Sequence, residues 1–152
     1  MIGLLQRVRE ASVEVDGQVI GKIDRGMVVL VGVEQGDGPG QVERLAERLL
    51  NYRVFADMQG RMNLNVQQVG GGILAVPQFT LVADTRQGNR PGFSRAADPQ
   101  TGRQMFDLLV TALRQTGQLV VTGRFGADMQ VRLCNDGPVT FSLQVPPDRR
   151  IV

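Results

Sequence analysis

Met129-Gln130-Val131-Arg132-Leu133-Cys134-Asn135-Asp136-Gly137-Pro138-Val139-Thr140-Phe141-Ser142-Leu143-Gln144-Val145 is the stretch from which the fold is best read. Apolar and polar residues alternate from Met129 to Leu133, and after the centre Val139, Phe141, Leu143 and Val145 fall on one face. Alternation at period 2 marks half-buried strands. Asn135 to Thr140 therefore reads as a hairpin-like connection between two strands. Gly137 leaves the backbone bare toward a ligand, and Pro138 makes a cis peptide bond accessible. On these residues alone, the first account of the segment is an ordinary tight turn.

Working outward, Ile2 to Arg9 reads as a strand, and Ser12–Val15 and Gln18–Ile20 flank Asp16-Gly17, a two-residue hairpin signal. Gly26 to Val33 is almost wholly apolar, the pattern of a central strand buried on both faces. A first helix is expected from Gln41 to Asn51, with Val42, Leu45, Ala46, Leu49 and Leu50 inward. A second opens at Asp98-Pro99 and runs to Gln115, with Met105, Phe106, Leu108, Leu109, Ala112 and Leu113 inward. Tyr52–Phe55, Val66–Ala75 and Gln118–Thr122 are strand-like, Asp57–Gly60 is a turn, and Gly70-Gly71-Gly72 is a bend. That glycine run lacks the Lys-Ser/Thr end of a phosphate-binding loop. The pattern is one α+β domain, residues 1–145. Its sheet is mostly antiparallel and rolled or barrel-like, two helices pack on it, and a loose tail follows at 146–152.

The chain has 152 residues, one cysteine and no histidine. Without histidine there is no Ser-His or Cys-His nucleophile and no histidine metal site, and the usual neutral-pH base is missing. A single cysteine allows no internal disulfide. No metal and no cofactor are expected. Net charge is only +2 and all basic residues but Lys22 are arginine, which suits local bidentate contacts with phosphate or carboxylate. The polar loop Ala83–Ser94, with Arg86 and Arg90 and with Arg95 just after it, is long enough to carry a site, although solvated surface is its plainer reading. No apolar run approaches a membrane span and the start reads as a strand rather than a leader, so a soluble cytoplasmic protein is expected.

Gln6-Arg7-Val8, Asn63–Gln68, Gln78-Phe79-Thr80-Leu81, Ala127–Val131 and Asn135-Asp136-Gly137-Pro138-Val139-Thr140 closely resemble the motifs of bacterial D-aminoacyl-tRNA deacylases, in the same order and over essentially the whole chain. The resemblance implies a carboxylic ester hydrolase for translation proofreading. It would remove D-amino acids from tRNA, and glycine from mischarged alanine tRNA. It implies a homodimer in which Gly137-Pro138, through a cis bond, reaches across into the partner's site. Gln78, Phe79 and Thr80 are then the catalytic segment, and Gly137, Pro138, Arg7, Phe125, Met129 and Asn135 the substrate-binding set. Pro77 departs from the family, which usually has serine there; the animal-type sister deacylase, acting on L-alanyl-tRNA(Thr), has proline. That sister activity is the first alternative, and a non-catalytic RNA-binding module the second. The absence of histidine leaves both an activated Thr80 and the terminal adenosine's own 2′-hydroxyl open, and the resemblance implies that the 2′-hydroxyl activates the water. Arg7 is expected to brace the Gly-Pro turn, since an arginine in an apolar strand needs acceptors.

Overall fold

The computed structural model describes residues 1–148. Strand β1 (Ile2–Val15) is the hub. It pairs antiparallel with β2 (Gln18–Ile23) through its second half, with β3 (Gly26–Gly32) through its first half, and with β8 (Gln130–Gln144) along almost its whole length. Asp16 and Gly17 both take positive φ in the β1–β2 turn, as a tight hairpin requires. Ile2–Arg9 and Ser12–Val15 thus form a single strand. It changes register between Val8 and Ala11, where polar Arg9 and Glu10 break the alternation.

Two ladders are parallel, β3 with β6 (Gly72–Pro77) and β6 with β7 (Val120–Thr122). Parallel neighbours need a crossover, and α1 (Pro39–Asn51) and α2 (Pro99–Gln115) lie in those connections. The sheet rolls until Gly21 of β2 faces the Thr122 carbonyl of β7; a Cβ on Gly21 would lie 3.3 Å from that oxygen. The result is a nearly closed barrel with two cores. Leu5, Met27, Val29, Ile73 and Ala75 pack under the helices, and Val8, Val13, Val28, Leu74 and Val76 pack inside the roll.

Both helices form where expected. In α1 all five inward residues are buried. In α2 the Asp98 carboxylate caps the helix by accepting from the Thr101 N–H at 3.0 Å. Met105, Phe106, Leu109, Val110 and Leu113 form its buried stripe; Leu108 falls outside it and is exposed. Elsewhere the strands are shorter than the pattern suggested. Only Phe55–Ala56 (β4) is extended after α1, paired with Met62–Leu64 (β5) around the expected turn. Residues 66–70 form turns, and the ladder starts at Gly72. There the two backbones almost touch: a Cβ on Gly26 would lie 1.9 Å from the Gly72 carbonyl oxygen. The glycine run is thus explained by close strand packing.

The hairpin expected at 135–140 does not form. Both flanking segments belong to β8 and pair with the same neighbour, β1. Thr140 lies opposite Gln6 and Asn135 opposite Val8, so Asp136–Val139 stand against Arg7 alone. A pattern of two alternating segments around Gly-Pro is shared by a hairpin and by one strand with a large bulge. The long β1 partner selects the second. Val139, Leu143 and Val145 are buried on one face as expected, while Phe141 lies at its margin, edge-on to Tyr52 at 5.5 Å.

In the tail, the Val145 N–H donates to the Met1 carbonyl at 2.8 Å, and Pro147 lies against Gly36. The last four residues of the expected loose tail, 149–152, lie outside the described residues.

Candidate active site

The bulge is built by its neighbours. Arg7, with a side chain only 15% exposed, donates from Nε to the Asp136 carbonyl at 3.1 Å and from Nη1 to the Val54 carbonyl at 2.6 Å. The second bond also engages the Tyr52–Val54 backbone outside any ladder. Asn135 closes the neck: its Oδ1 accepts from the Val139 N–H at 3.0 Å, and its Nδ2 donates to Thr140 Oγ1 at 2.9 Å. The Gly137–Pro138 bond is cis, and both residues are exposed with no register partner on β1. The turn thus presents bare backbone on a braced stem.

Arg7→Ala would remove both donors to the Asp136 and Val54 carbonyls. Each buried or half-buried acceptor left without its partner costs about 1–3 kcal/mol. A lower denaturation midpoint is expected, together with a loss of turn-dependent activity. Unchanged stability and activity would show that Arg7 does not brace the turn.

The second segment follows β6. Gln78 anchors it by donating its N–H to the Val31 carbonyl at 2.7 Å, and a short 3-10 helix covers Phe79–Val82. Leu81 donates back to Gln78, whereas the N–H groups of Phe79 and Thr80 are initial donors with no earlier carbonyl inside the helix. Such paired N–H groups suit a developing oxyanion. Thr80 Oγ1 accepts a short hydrogen bond from the Gln78 side-chain amide. Phe79 is 60% exposed and packs against Phe93 with the rings tilted by 51° and their centroids 5.0 Å apart.

Pro77, Gln78, Phe79, Phe106 and Phe125 line a crevice of about 30 Å³ beside the start of α2. Met129 joins from the far side of Gly123, where a Cβ would lie 2.7 Å from Met129 Sδ and 3.5 Å from Pro77 Cδ. Sequence reasoning missed Phe93 and Arg103, whose guanidinium lies 5.3 Å from the Phe125 centroid. The signal for Phe93 was an aromatic residue inside a polar loop; for Arg103 there was none.

The structure therefore gathers the nine expected residues into two groups. Gln78, Phe79, Thr80, Phe125 and Met129 lie at one end, and Arg7, Asn135, Gly137 and Pro138 at another. Register measures the gap: Thr140, Gln6 and Val28 are level, while Gln78 is bonded at Val31. That is about 10 Å along β3 and about 14 Å across three strand spacings. Within one chain the groups do not meet.

The loop arginines are partly committed. Arg86 grips Asp84 with two side-chain bonds, and this holds the Asp84 carboxyl well below the usual carboxylate range. Arg95 pairs with Glu34. Bonds from the Thr101 hydroxyl and N–H likewise lower the Asp98 carboxyl. Both carboxylates stay charged at neutral pH, and neither is poised as a base. Among the described residues no three His, Cys, Asp or Glu side chains cluster to hold a metal, and no helix is long and apolar enough to cross a membrane.

The chain is a nearly closed barrel flanked by two helices, with backbone donors at one end and a bare turn at the other. A probable eukaryotic D-amino acid tRNA deacylase shares the fold at a TM-score of 0.78 with 16% identity, over 93% of this chain and 98% of that one. The family model described as D-Tyr-tRNA(Tyr) deacylase matches residues 4–144, and the chain belongs to that family of ester hydrolases. A D-aminoacyl-tRNA deacylase of Methylococcus capsulatus is 60% identical over 98% of this chain and 97% of its own. One of Alteromonas mediterranea is 61% identical over 95% and 100%. A solved structure titled c-Myc DNA Unwinding Element Binding Protein has a TM-score of 0.92 and 38% identity, over 96% of this chain and 99% of that one.

Proposed function

We propose that this chain hydrolyses the ester of D-aminoacyl-tRNA, and of glycyl-tRNA(Ala), at a site completed by the Gly137-Pro138 turn of a second copy. The observation that carries this reading is the braced bulge on β8, which stands away from Gln78–Thr80 of its own chain. Between the two lies a strip that supports an isologous contact. Gly3 faces Leu45 of α1, so by alternation Leu4 and Gln6 face away from the helices, as do their ladder partners Leu30, Thr140 and Ser142. Leu4 and Leu30 are only half-buried. The strip runs from the turn toward Leu81 and Val82, which touch Gly32. A two-fold axis through its middle would lay each copy's turn on the other's catalytic segment.

In this account the Gly137 and Pro138 carbonyls receive the substrate α-ammonium. A D side chain then points to open space, an L side chain meets backbone, and glycine passes because it has none. The terminal 2′-hydroxyl orients a water and relays its proton. The water oxygen bonds to the ester carbon, and the oxyanion is held by the Phe79 and Thr80 N–H groups. The bond to the 3′-oxygen breaks and that oxygen takes the proton, leaving a free amino acid and tRNA. The reading puts the protein in the cytoplasm, where tRNA is charged.

Purified protein assayed on matched D- and L-tyrosyl-tRNA should cleave the D form at least about 100-fold faster, the order of one lost steric and polar fit. Comparable rates would overturn the reading. Pro77 favours the sister specificity, and brisk cleavage of L-alanyl-tRNA(Thr) in the same assay would establish that instead.

A further inference from the structure

We propose that Arg103 and Arg124 take the phosphate groups of the RNA strand that ends in the reacting ester, and so position that ester over Gln78–Thr80. This deepens the reading above and rests on it. Most arginines near carboxylates are already used: Arg44, Arg86, Arg95 and Arg132 pair with Glu47, Asp84, Glu34 and Glu14, and Arg7 and Arg9 share Asp136. Arg103 and Arg124 are exposed and have no carboxylate within ion-pair distance among the described residues.

Arg103 stands at the crevice through Phe125, and Arg124 adjoins Phe125 in the chain. Arg103 lies over the Phe125 ring, and that ring touches the position of a Cβ on Gly102, one residue before Arg103, at 3.3 Å. Arg124 immediately precedes Phe125, and its backbone N–H is held by Met129 Sδ at 3.4 Å. Phe125 itself lines the crevice with Gln78 and Phe79. Asp98, which lines the crevice, is occupied by the Thr101 N–H and hydroxyl, and Asp107, which lines the adjoining groove with Arg103, makes no ion pair with it. The crevice wall therefore carries one unpaired planar cation, Arg103, on the Phe125 ring, and a second, Arg124, on the adjoining residue of the chain. In an aminoacylated RNA the anion adjoining the ester is a phosphodiester, one sugar away. Guanidinium groups match its geometry and are weakly hydrated, so they give up water readily on contact.

The test compares two substrates, D-tyrosyl-tRNA and the phosphate-free ester D-tyrosyl-adenosine. Arg103→Ala and Arg124→Ala should each raise KM for the tRNA about tenfold with kcat within about twofold, and the loss should exceed that on the adenosine ester by a similar factor. The slope of log kcat/KM against log salt should become shallower by about one per arginine removed. Arg124→Lys, which keeps the charge but not the planar fork, should restore the salt slope and only part of the tRNA affinity. Equal losses on both substrates, or an unchanged KM and salt slope, would overturn the proposal while leaving the deacylase reading intact. A wild type that cleaves neither substrate would overturn both.

Discussion

Replacing Gly137 by alanine is expected to lower kcat/KM for D-aminoacyl-tRNA by at least about 100-fold, the scale set by a misplacement of about 1 Å in a positioned site. Gly137 sits at φ +134°, in the region that side chains rarely adopt. A Cβ there would lie 2.7 Å from Val139 Cγ2, 3.1 Å from the Val139 nitrogen and 3.2 Å from Arg7 Nη2. Val139 is buried and Arg7 is tied to two carbonyls, so neither yields without moving the turn. The bulge lies outside the β1–β8 register, so the fold should survive with little change in melting temperature. A folded variant with near wild-type activity would show that the turn does not hold substrate.

The second large effect falls on the substrate. A tRNA ending in 2′-deoxyadenosine should be cleaved on the order of 1,000-fold more slowly, whereas Thr80→Ala should keep activity within about tenfold, a difference of about 2.7 kcal/mol in barrier. The Thr80 hydroxyl accepts from the Gln78 amide, which is a donor and not a base. No histidine exists in the chain to activate it. Pro77 carries no nucleophile where a serine would stand. Single-turnover assays of the four enzyme–substrate combinations decide the matter. An inactive Thr80→Ala that accompanies normal turnover of the deoxy substrate would assign Thr80 as the nucleophile.

Local signals carried much of the fold. Asp16-Gly17 specified its hairpin through the φ > 0 requirement, and the apolar spacing of α1 fixed its buried face. What the sequence could not supply was pairing. Leu133 and Val139 alternate alike whether their strands face each other or share β1, so the bulge was legible as a turn but not as an interruption of one strand. The two parallel ladders at β6 likewise depend on where α1 and α2 carry the chain. At the candidate site, Arg7 was readable as an arginine in need of acceptors, and it has two. The grouping of the nine residues was not readable, because the distance between Thr140 and Gln78 depends on strand order β8-β1-β3-β6. Phe93 meets Phe79 only because the Asp84–Gly92 bridge folds its loop back.

The central claim is that one chain's turn serves the other chain's catalytic segment, and complementation between two inactive variants measures it directly. Gly137→Ala disables the turn. Phe79→Pro removes an oxyanion donor and the Phe79 ring at a first helical position, where proline is tolerated because the N–H has no partner inside the helix. Each variant alone should be inactive. Unfolded together in equal amounts and refolded, half of the dimers should be mixed, each with one intact site of two, so about a quarter of wild-type D-tyrosyl-tRNA hydrolysis should return. No recovery, with mixed dimers shown to have formed, would place the whole site within one chain and contradict the account.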